Sequence, residues 1–485
     1  MSAPLSHLVK RAFAVDPLIS AVTADSRKAG PGVLFAALPG TKVDGRDFIP
    51  AALAAGAAAV IAAEDTPDLS APLVRTRDPR RAYALAAAAL HGRQPGTCVA
   101  VTGTNGKTSV AAFCRQIFNR AGHRAASMGT LGVYATGPGG FEAQLTPPGL
   151  TTPDAGDVAA LLAGLVDKGV DHLALEASSH GIDQRRLDGV KLTAAGFLNL
   201  TQDHLDYHGD MDSYRAAKLR LFETLLPRGA TAVLNADSDA FPAFAAAAVQ
   251  AGQTVFSVGA AGQGLRLAER TMTPGGQRLK LVFEGRALDV ALPLAGAFQA
   301  SNALVAAGLC LAAGVGMDNV AAALETLQGA PGRLQRVGRG PRGGEAYVDY
   351  AHTPDGLETV LKALRPHVAG RLLVVFGAGG DRDRTKRPLM GRAAASLADL
   401  AIVTDDNPRS EDPAAIRAEV LAGAVGAREI GDRREAIRAG VAELSEGDVL
   451  VVAGKGHEQG QLVAGVMHPF DDVAEVAQAL EAGHG

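Results

Sequence analysis

The stretch Val99-Ala-Val-Thr-Gly-Thr-Asn-Gly-Lys-Thr-Ser109 decides the fold. A short β-branched run feeds a glycine-bearing turn, and Lys107 and Thr108 open a helical pattern behind it. Such a turn aims backbone N–H groups and a helix N-terminus at phosphate, with a lysine to neutralise charge and a hydroxyl to reach Mg2+. Val101 stands where the strict G-x-x-x-x-G-K-[ST] pattern has its first glycine, so Gly103-x-x-Gly106-Lys107-Thr108 is a variant phosphate loop.

On either side, short apolar strands alternate with helical patterns, the signature of open α/β domains with mainly parallel sheets. Strands are expected at 99–102, 172–175, 194–198, 232–234, 372–376, 400–403 and 449–452, most with polar or glycine-bearing turns after them. Ligands of such sheets bind beyond the carboxyl ends of the strands. Turn-rich linkers at 91–97 and 329–333 divide the chain into a small α/β domain 1–96, a central nucleotide-binding domain 97–331 and a Rossmann-like domain 332–485. Asp318 is a plausible N-cap for a helix 318–327, and 259–286 reads as irregular or antiparallel strand.

The length of 485 residues accommodates about three domains at about 150 residues each. A formal net charge of −4 gives no reason to expect nucleic acid or an anionic membrane as partner. Cys98, Cys114 and Cys310 are too scattered for a disulfide framework or a zinc site and read as small buried hydrophobes of a reducing compartment. The N-terminus lacks a signal-peptide pattern, and the alanine-rich run 51–63 is broken by Gly56 before the ~18 apolar residues of a membrane span. A cytoplasmic monomer is the expectation.

Several polar clusters could carry chemistry. Glu176 ends an apolar strand opposite the phosphate loop, where a Mg2+ ligand belongs; alone it would read as a capping acid. Asp203, His204, Asp206 and His208 crowd the next strand's exit, and their oxygens favour magnesium over a transition metal. Behind them Asp212 is a plausible N-cap, and Tyr214, Lys218 and Phe222 share one helical face, away from the expected exposed Arg215 and Arg220. A lysine among aromatics snorkels, pairs with an acid, or stays neutral enough to react with CO2. The run Ala297-Phe-Gln-Ala-Ser-Asn302 opens a helical stretch, Arg333 sits in the second linker, and Asp349 and His352 follow a short strand.

In this order the motifs resemble the Mur ligase family, ATP-dependent amide-forming ligases of peptidoglycan precursor synthesis. The likeness runs from Asp25-Ser-Arg27 to Gly454-Lys-Gly-His-Glu458, nearly the whole chain. It implies that Gly103, Thr104, Asn105, Gly106, Lys107, Thr108 and Ser109 hold ATP phosphates, with Asn302, Arg333, Asp349 and His352 as further nucleotide contacts. It also implies that Thr108, Glu176 and His204 organise Mg2+ and that Lys218 is a carbamylated lysine. Lys107, Glu176, His204, Lys218 and Arg333 are then the catalytic candidates.

The terminal segments bear on which ligase of the family this is. Ala24, Ser26, Thr41, Lys42 and Val43 resemble a cradle for the uridine diphosphate of UDP-MurNAc-L-Ala-D-Glu. Thr151, Thr152, Ser178, Gln184 and Arg186 resemble contacts to its sugar-peptide portion. Turns carrying Arg382, then Asp406, Asn407, Pro408 and Arg409, then Gly454 and Glu458 follow three strands, and their ends should meet at one sheet edge. They resemble the meso-diaminopimelate pocket of the family member that adds the third residue. Arg409 with Arg382 suits the distal carboxylate and Glu458 the distal ammonium, whereas a lysine substrate would leave Arg409 facing nothing.

The implied reaction activates the D-glutamate side-chain carboxylate as an acyl phosphate, which the amine then displaces. His204 is a candidate base only if it is not on the metal. Rival readings are a lysine-adding or other Mur-type ligase, including one acting on a folate, a nucleotide-dependent switch, and a dinucleotide oxidoreductase prompted by 377–380. The chain lacks the guanine-reading Asn-Lys-x-Asp motif of the switch and the full G-x-G-x-x-G spacing of the oxidoreductase.

Overall fold

The computed structural model describes residues 2–40, 43–273 and 275–482. They pack as two compact units, Met1–Arg266 with Leu304–Val320, and Leu267–Ala303 with Ala321–Gly485. The architecture is the expected mixed α/β, and no helix among the described residues is long and apolar enough to cross a membrane.

Besides the short antiparallel pair Ala3–Pro4 and Leu18–Ile19, the first unit holds two sheets. The smaller is a parallel run of Ala21–Thr23, Val33–Ala36, Ala59–Ala63 and Leu73–Thr76. The alanine-rich stretch is split here into the helix Ile49–Ala54 and the strand Ala59–Ala63, with Gly56 at φ 94° making the reversal.

In the larger sheet the parallel strands lie in the order Ala125–Gly129, His172–Glu176, Thr97–Thr102, Ala194–Phe197, Thr231–Asn235, Thr254–Gly259. Gly132–Gly137 and Phe141–Thr146 add an antiparallel edge beside Ala125–Gly129. Strands buried on both faces must be apolar throughout, which is why these runs read as continuous hydrophobic stretches. On one face Leu173, Leu175, Phe197 and Leu234 pack with Phe222 and Phe244, and Phe197 stacks on Phe244 at 3.6 Å. Each such side chain contributes roughly 1.5–3 kcal/mol by leaving water. The helix Lys107–Arg120 buries Val110, Phe113, Ile117 and Phe118. Cys98, Cys114 and Cys310 are free and buried, as expected.

Thr97–Thr102 lies between His172–Glu176 and Ala194–Phe197, where the strand order changes direction. A crevice opens at the carboxyl ends of strands at such a point, and the glycine turn leaves from there.

The second unit is built on a six-stranded sheet, ordered Gln335–Arg339, Glu345–Asp349, Val449–Ala453, Leu372–Phe376, Leu400–Val403, Arg428–Glu429. It is parallel except at the Gln335–Arg339 edge. Leu357, Leu364, Phe376 and Met390 fill one face, and Leu373, Ile437, Leu450 and Val476 the other. Helices therefore cover both faces of a Rossmann-like sheet. Arg433 and Asp472, both fully buried, pair through two bonds of 2.7 and 2.6 Å. Leaving either charge alone there would cost about 3–5 kcal/mol.

Some local expectations are corrected. The helix 317–324 starts at Met317, so Asp318 lies in its first turn and is not the N-cap. Asp210, not Asp212, caps Met211–Arg220 by accepting from the Ser213 N–H. Its neighbour Gly209 turns at φ 82°, a left-handed position that brings Asp210 to the helix start. Arg220 is not exposed: Asp188 draws it in with bonds of 2.9 and 2.5 Å. The segment 259–286 forms Leu265–Thr273 and Gly276–Phe283, the latter antiparallel to Arg286–Leu292.

Candidate active site

The phosphate loop is fixed from outside itself. Thr104 N–H donates to the Asn199 carbonyl at 3.0 Å and Asn105 N–H to Asn199 Oδ1 at 2.9 Å. The Tyr214 hydroxyl donates to Thr104 Oγ1 at 3.2 Å. A Cβ on Gly103 would lie 2.9 Å from Leu198 Cβ, and Gly106 holds φ 91° at the helix cap. Both positions favour a residue without a Cβ. Lys107 Nζ donates to the Gly103 and Thr104 carbonyls, each at 2.8 Å.

Lys218 comes from the far side of the same loop, 1% exposed, and donates to the Gly103 carbonyl at 2.9 Å. Burial drives its pKa well below the ordinary lysine value, Lys107 pushes in the same direction, and Asp203 opposes. Its Nζ lies 4.4 Å from the centre of the Tyr214 ring, as the shared helical face required.

Glu176 meets the loop at the end of its strand. Its carboxylate accepts from Thr108 Oγ1 at 3.0 Å and from the Thr130 N–H at 2.9 Å. A Cβ on Gly129 would fall 2.0 Å from Glu176 Oε1, so the carboxylate lies across a bare glycine. Thr130 and Asn199 were not singled out in the sequence; a threonine and an asparagine at strand exits carry no distinguishing pattern.

The residues expected to hold the acceptor gather behind Glu176. Thr151 and Thr130 hydroxyls lie 3.0 Å apart, and Thr152 Oγ1 donates to the Glu176 carbonyl at 3.0 Å. Ser178 Oγ is 2.9 Å from Thr152 Oγ1. Arg186 donates to the Thr152 carbonyl at 2.6 Å and to Gln184 Oε1 at 2.7 Å. Gln184 in turn donates to the Tyr207 hydroxyl at 3.1 Å.

His204 is half exposed, with Nε2 3.5 Å from Asp203. Its ring meets His180 at 4.9 Å and Tyr214 at 6.2 Å, both edge-on, so it stands on the Tyr214 side of the loop. Ala24 and Ser26 flank Asp25, which caps Ser26–Lys28 and pairs with Arg27 through two bonds of 2.8 and 2.9 Å. Val43 is exposed; Thr41 and Lys42 lie outside the described residues.

In the second unit, Arg333 lies 4.7 Å above the Tyr350 ring, and its buried Nε finds no hydrogen-bond partner among the described residues. Asn302 donates to Gln299 Oε1 at 3.1 Å, and Gln299 to the Arg333 carbonyl at 3.4 Å. Asp349 is buried and accepts from the Leu334 and Ala351 N–H groups. Burial lifts its pKa to about 6 against the pull of Arg333. His352 Nδ1 faces the Tyr350 carbonyl at 2.8 Å. Arg333 and His352 thus lie against the Tyr350 ring, and Asn302 joins them through Gln299 and the Arg333 carbonyl.

The turns after Leu372–Phe376, Leu400–Val403 and Val449–Ala453 do meet, because these strands are parallel neighbours. Arg409, at φ 56°, donates from Nη1 to the Gly380 carbonyl at 2.8 Å. A Cβ on Gly380 would sit 1.9 Å from the Pro408 carbonyl oxygen, so these two turns touch through backbone. Asn407 Nδ2 donates to Glu458 Oε2 at 3.0 Å, and a Cβ on Gly454 would lie 2.5 Å from Asp406 Oδ2. Arg382 stays exposed and donates to the Asp381 carbonyl at 3.3 Å.

Family models match three successive stretches: the Mur ligase family catalytic domain over 18–93, the Mur ligase middle domain over 101–310, and the Mur ligase glutamate ligase domain over 332–456. The UDP-N-acetylmuramoyl-L-alanyl-D-glutamate--2,6-diaminopimelate ligase of Caulobacter vibrioides is 73% identical over 99% of both chains. The Agrobacterium fabrum protein of the same name is 53% identical over 95% of this chain and 93% of its own. A solved structure of a ligase of that name superposes over 100% of both chains with a TM-score of 0.77 at 35% identity. With three family models in succession along it and these likenesses end to end, the chain belongs to the Mur ligase family.

Proposed function

We propose that this chain is an ATP-dependent, ADP-forming ligase that joins meso-diaminopimelate to the D-glutamate side-chain carboxylate of UDP-MurNAc-L-Ala-D-Glu in peptidoglycan precursor synthesis. The reaction class rests on one contact: Thr108 of the phosphate loop bonded at 3.0 Å to Glu176, with acceptor-side hydroxyls directly behind. The amine follows from the named relatives and from Arg409 and Glu458 in adjoining turns.

Three segments divide the labour in this reading: 1–96 takes the uridine diphosphate, 97–331 the nucleotide and the reacting carboxylate, and 332–485 the amino acid. Asn302, Arg333, Asp349 and His352 contribute to nucleotide binding from their own cluster. The substrates belong to the cytoplasm.

The oxygen donors of Thr108 and Glu176 suit Mg2+, which favours oxygen and keeps several ligand positions for water and phosphate; His204 is the third candidate ligand. When bound, Mg2+ would neutralise charge on the transferring phosphoryl group. Lys107, released from its loop carbonyls, pairs with the phosphates, while N–H groups of 103–109 orient them. An oxygen of the acceptor carboxylate attacks the γ-phosphorus and ADP leaves. The incoming amine then attacks the acyl carbon, and phosphate departs with the carboxylate oxygen it gained. The protein chiefly positions reactants and neutralises charge.

Lys218 serves as a carbamate in this scheme. Its nitrogen must be neutral to attack CO2, and burial beside Lys107 favours that form. With 13C-bicarbonate, the wild-type protein is expected to show a carbamate carbon resonance by NMR that Lys218→Gln lacks. The same resonance in both proteins would remove Lys218 from that role.

The function itself is tested by mass spectrometry of the acceptor incubated with ATP, Mg2+ and meso-diaminopimelate. The expected product carries one added diaminopimeloyl residue per ADP formed. ADP release without a modified acceptor would reject the proposal.

A further inference from the structure

Lys455 is fully buried in the second unit, in a turn whose glycine and glutamate already have assigned tasks. Its Nζ donates to Asn407 Oδ1 and to the Gly460 carbonyl, both at 2.8 Å, and stands 3.9 Å from Glu458 Oε2. Asn407 Oδ1 also accepts from the Leu462 N–H at 3.0 Å. An ammonium and a backbone N–H are both donors only, so their shared partner must be the amide oxygen. That settles which way the Asn407 amide faces: its NH2 points to Glu458, donating to Oε2 at 3.0 Å. Lys455 therefore ties the turns around 406–409 and 454–458 to the hairpin strand Gly460–Val463.

We infer that Lys455 is a positioning residue for recognition of the diamino acid: through Asn407 it holds the Glu458 carboxylate oriented for the substrate's distal ammonium. The inference rests on the diaminopimelate pocket proposed above. A buried cation whose only task was packing could be replaced by an apolar chain of equal length without changing substrate preference. A cation that orients an amide could not, because Asn407, held then by the Leu462 N–H alone, is freer to turn its carbonyl toward Glu458 and repel it. Burial holds the Lys455 pKa below the ordinary lysine value and Arg433 pushes it the same way, against opposing pulls from Asp406, Glu458 and Asp472.

The test is a double-mutant cycle with Lys455→Met and Asn407→Ala, following the KM for meso-diaminopimelate, the KM for ATP, and thermal melting. Lys455→Met is expected to raise the KM for meso-diaminopimelate about tenfold or more, as loss of a charge-assisted hydrogen bond predicts. The KM for ATP should stay within twofold. In the Asn407→Ala background Lys455→Met should add little, since the two act in series. Additive effects, or equal rises in both KM values, would overturn the assignment. If Lys455→Met melts too early for kinetics, Lys455→Gln, which keeps a donor to Asn407, must retain selectivity better than Lys455→Leu; equal behaviour of the pair overturns it too. An unaltered KM for meso-diaminopimelate in Asn407→Ala would instead reject the pocket itself.

Discussion

Lys107→Ala is expected to abolish turnover with every amine, lowering kcat by about a thousandfold or more. The lysine stands at the first position of the helix Lys107–Arg120, beyond Gly106, where loop N–H groups also point. In the present structure its ammonium rests on two carbonyls of its own loop. Those bonds keep the charge within reach of the phosphates. Phosphoryl transfer leaves little covalent work for the protein, so removing a charge aimed at the developing phosphate negative charge costs far more than a lost surface contact. Binding of the acceptor, judged by calorimetry, should survive because the hydroxyls behind Glu176 are untouched. Retention of more than a tenth of wild-type ADP release would mean that the loop does not bind the transferring phosphoryl group.

Arg409→Ala is expected to weaken use of meso-diaminopimelate by about a hundredfold in kcat/KM while leaving any slow lysine reaction within about threefold. The guanidinium is held by the Gly380 and Asn407 carbonyls, at 2.8 and 3.5 Å. No ion pair of Arg409 with a carboxylate occurs among the described residues. Holding this side chain there costs a left-handed backbone at φ 56°, a strain that persists only where the surroundings over-determine it. A charge-assisted contact to a substrate carboxylate is worth about 1.5–3 kcal/mol, and a forked pair somewhat more. Lysine has no distal carboxylate and so has nothing to lose. Parallel losses for the two amines would place Arg409 in the scaffold and not in the pocket.

Much of this was legible in the sequence because a few patterns are physically over-determined. A phosphate loop must follow a buried strand and open a helix, so 99–109 could be placed without knowing its neighbours. Glu176 was readable for the same reason: an acid closing an apolar run lies at the carboxyl edge of a sheet. The meeting of the three C-terminal turns followed from parallel strands alone. Contacts that need the third dimension were not readable. Thr130 and Asn199 grip Glu176 and Thr104 from separate segments, and neither has a spacing that marks it. Lys455 stood in plain view inside Gly454-Lys-Gly-His-Glu458, yet only burial reveals that its charge faces inward to Asn407. The helix cap at Asp210 was misplaced by two residues because two aspartates compete there, and the left-handed turn at Gly209 decides between them. The strands of 265–292 blurred because much of Leu265–Thr273 and Arg286–Leu292 is exposed.

The central claim is that the site activates a carboxylate by phosphorylating it before the amine arrives. Acceptor labelled with 18O in the D-glutamate side-chain carboxylate tests this most directly, by mass analysis of the phosphate released in single turnovers with meso-diaminopimelate. An acyl phosphate predicts that one labelled oxygen moves from the carboxylate to each phosphate, because the bond formed at phosphorus is retained when the amine displaces it. Phosphate released without label, alongside a correctly formed amide, would contradict the account.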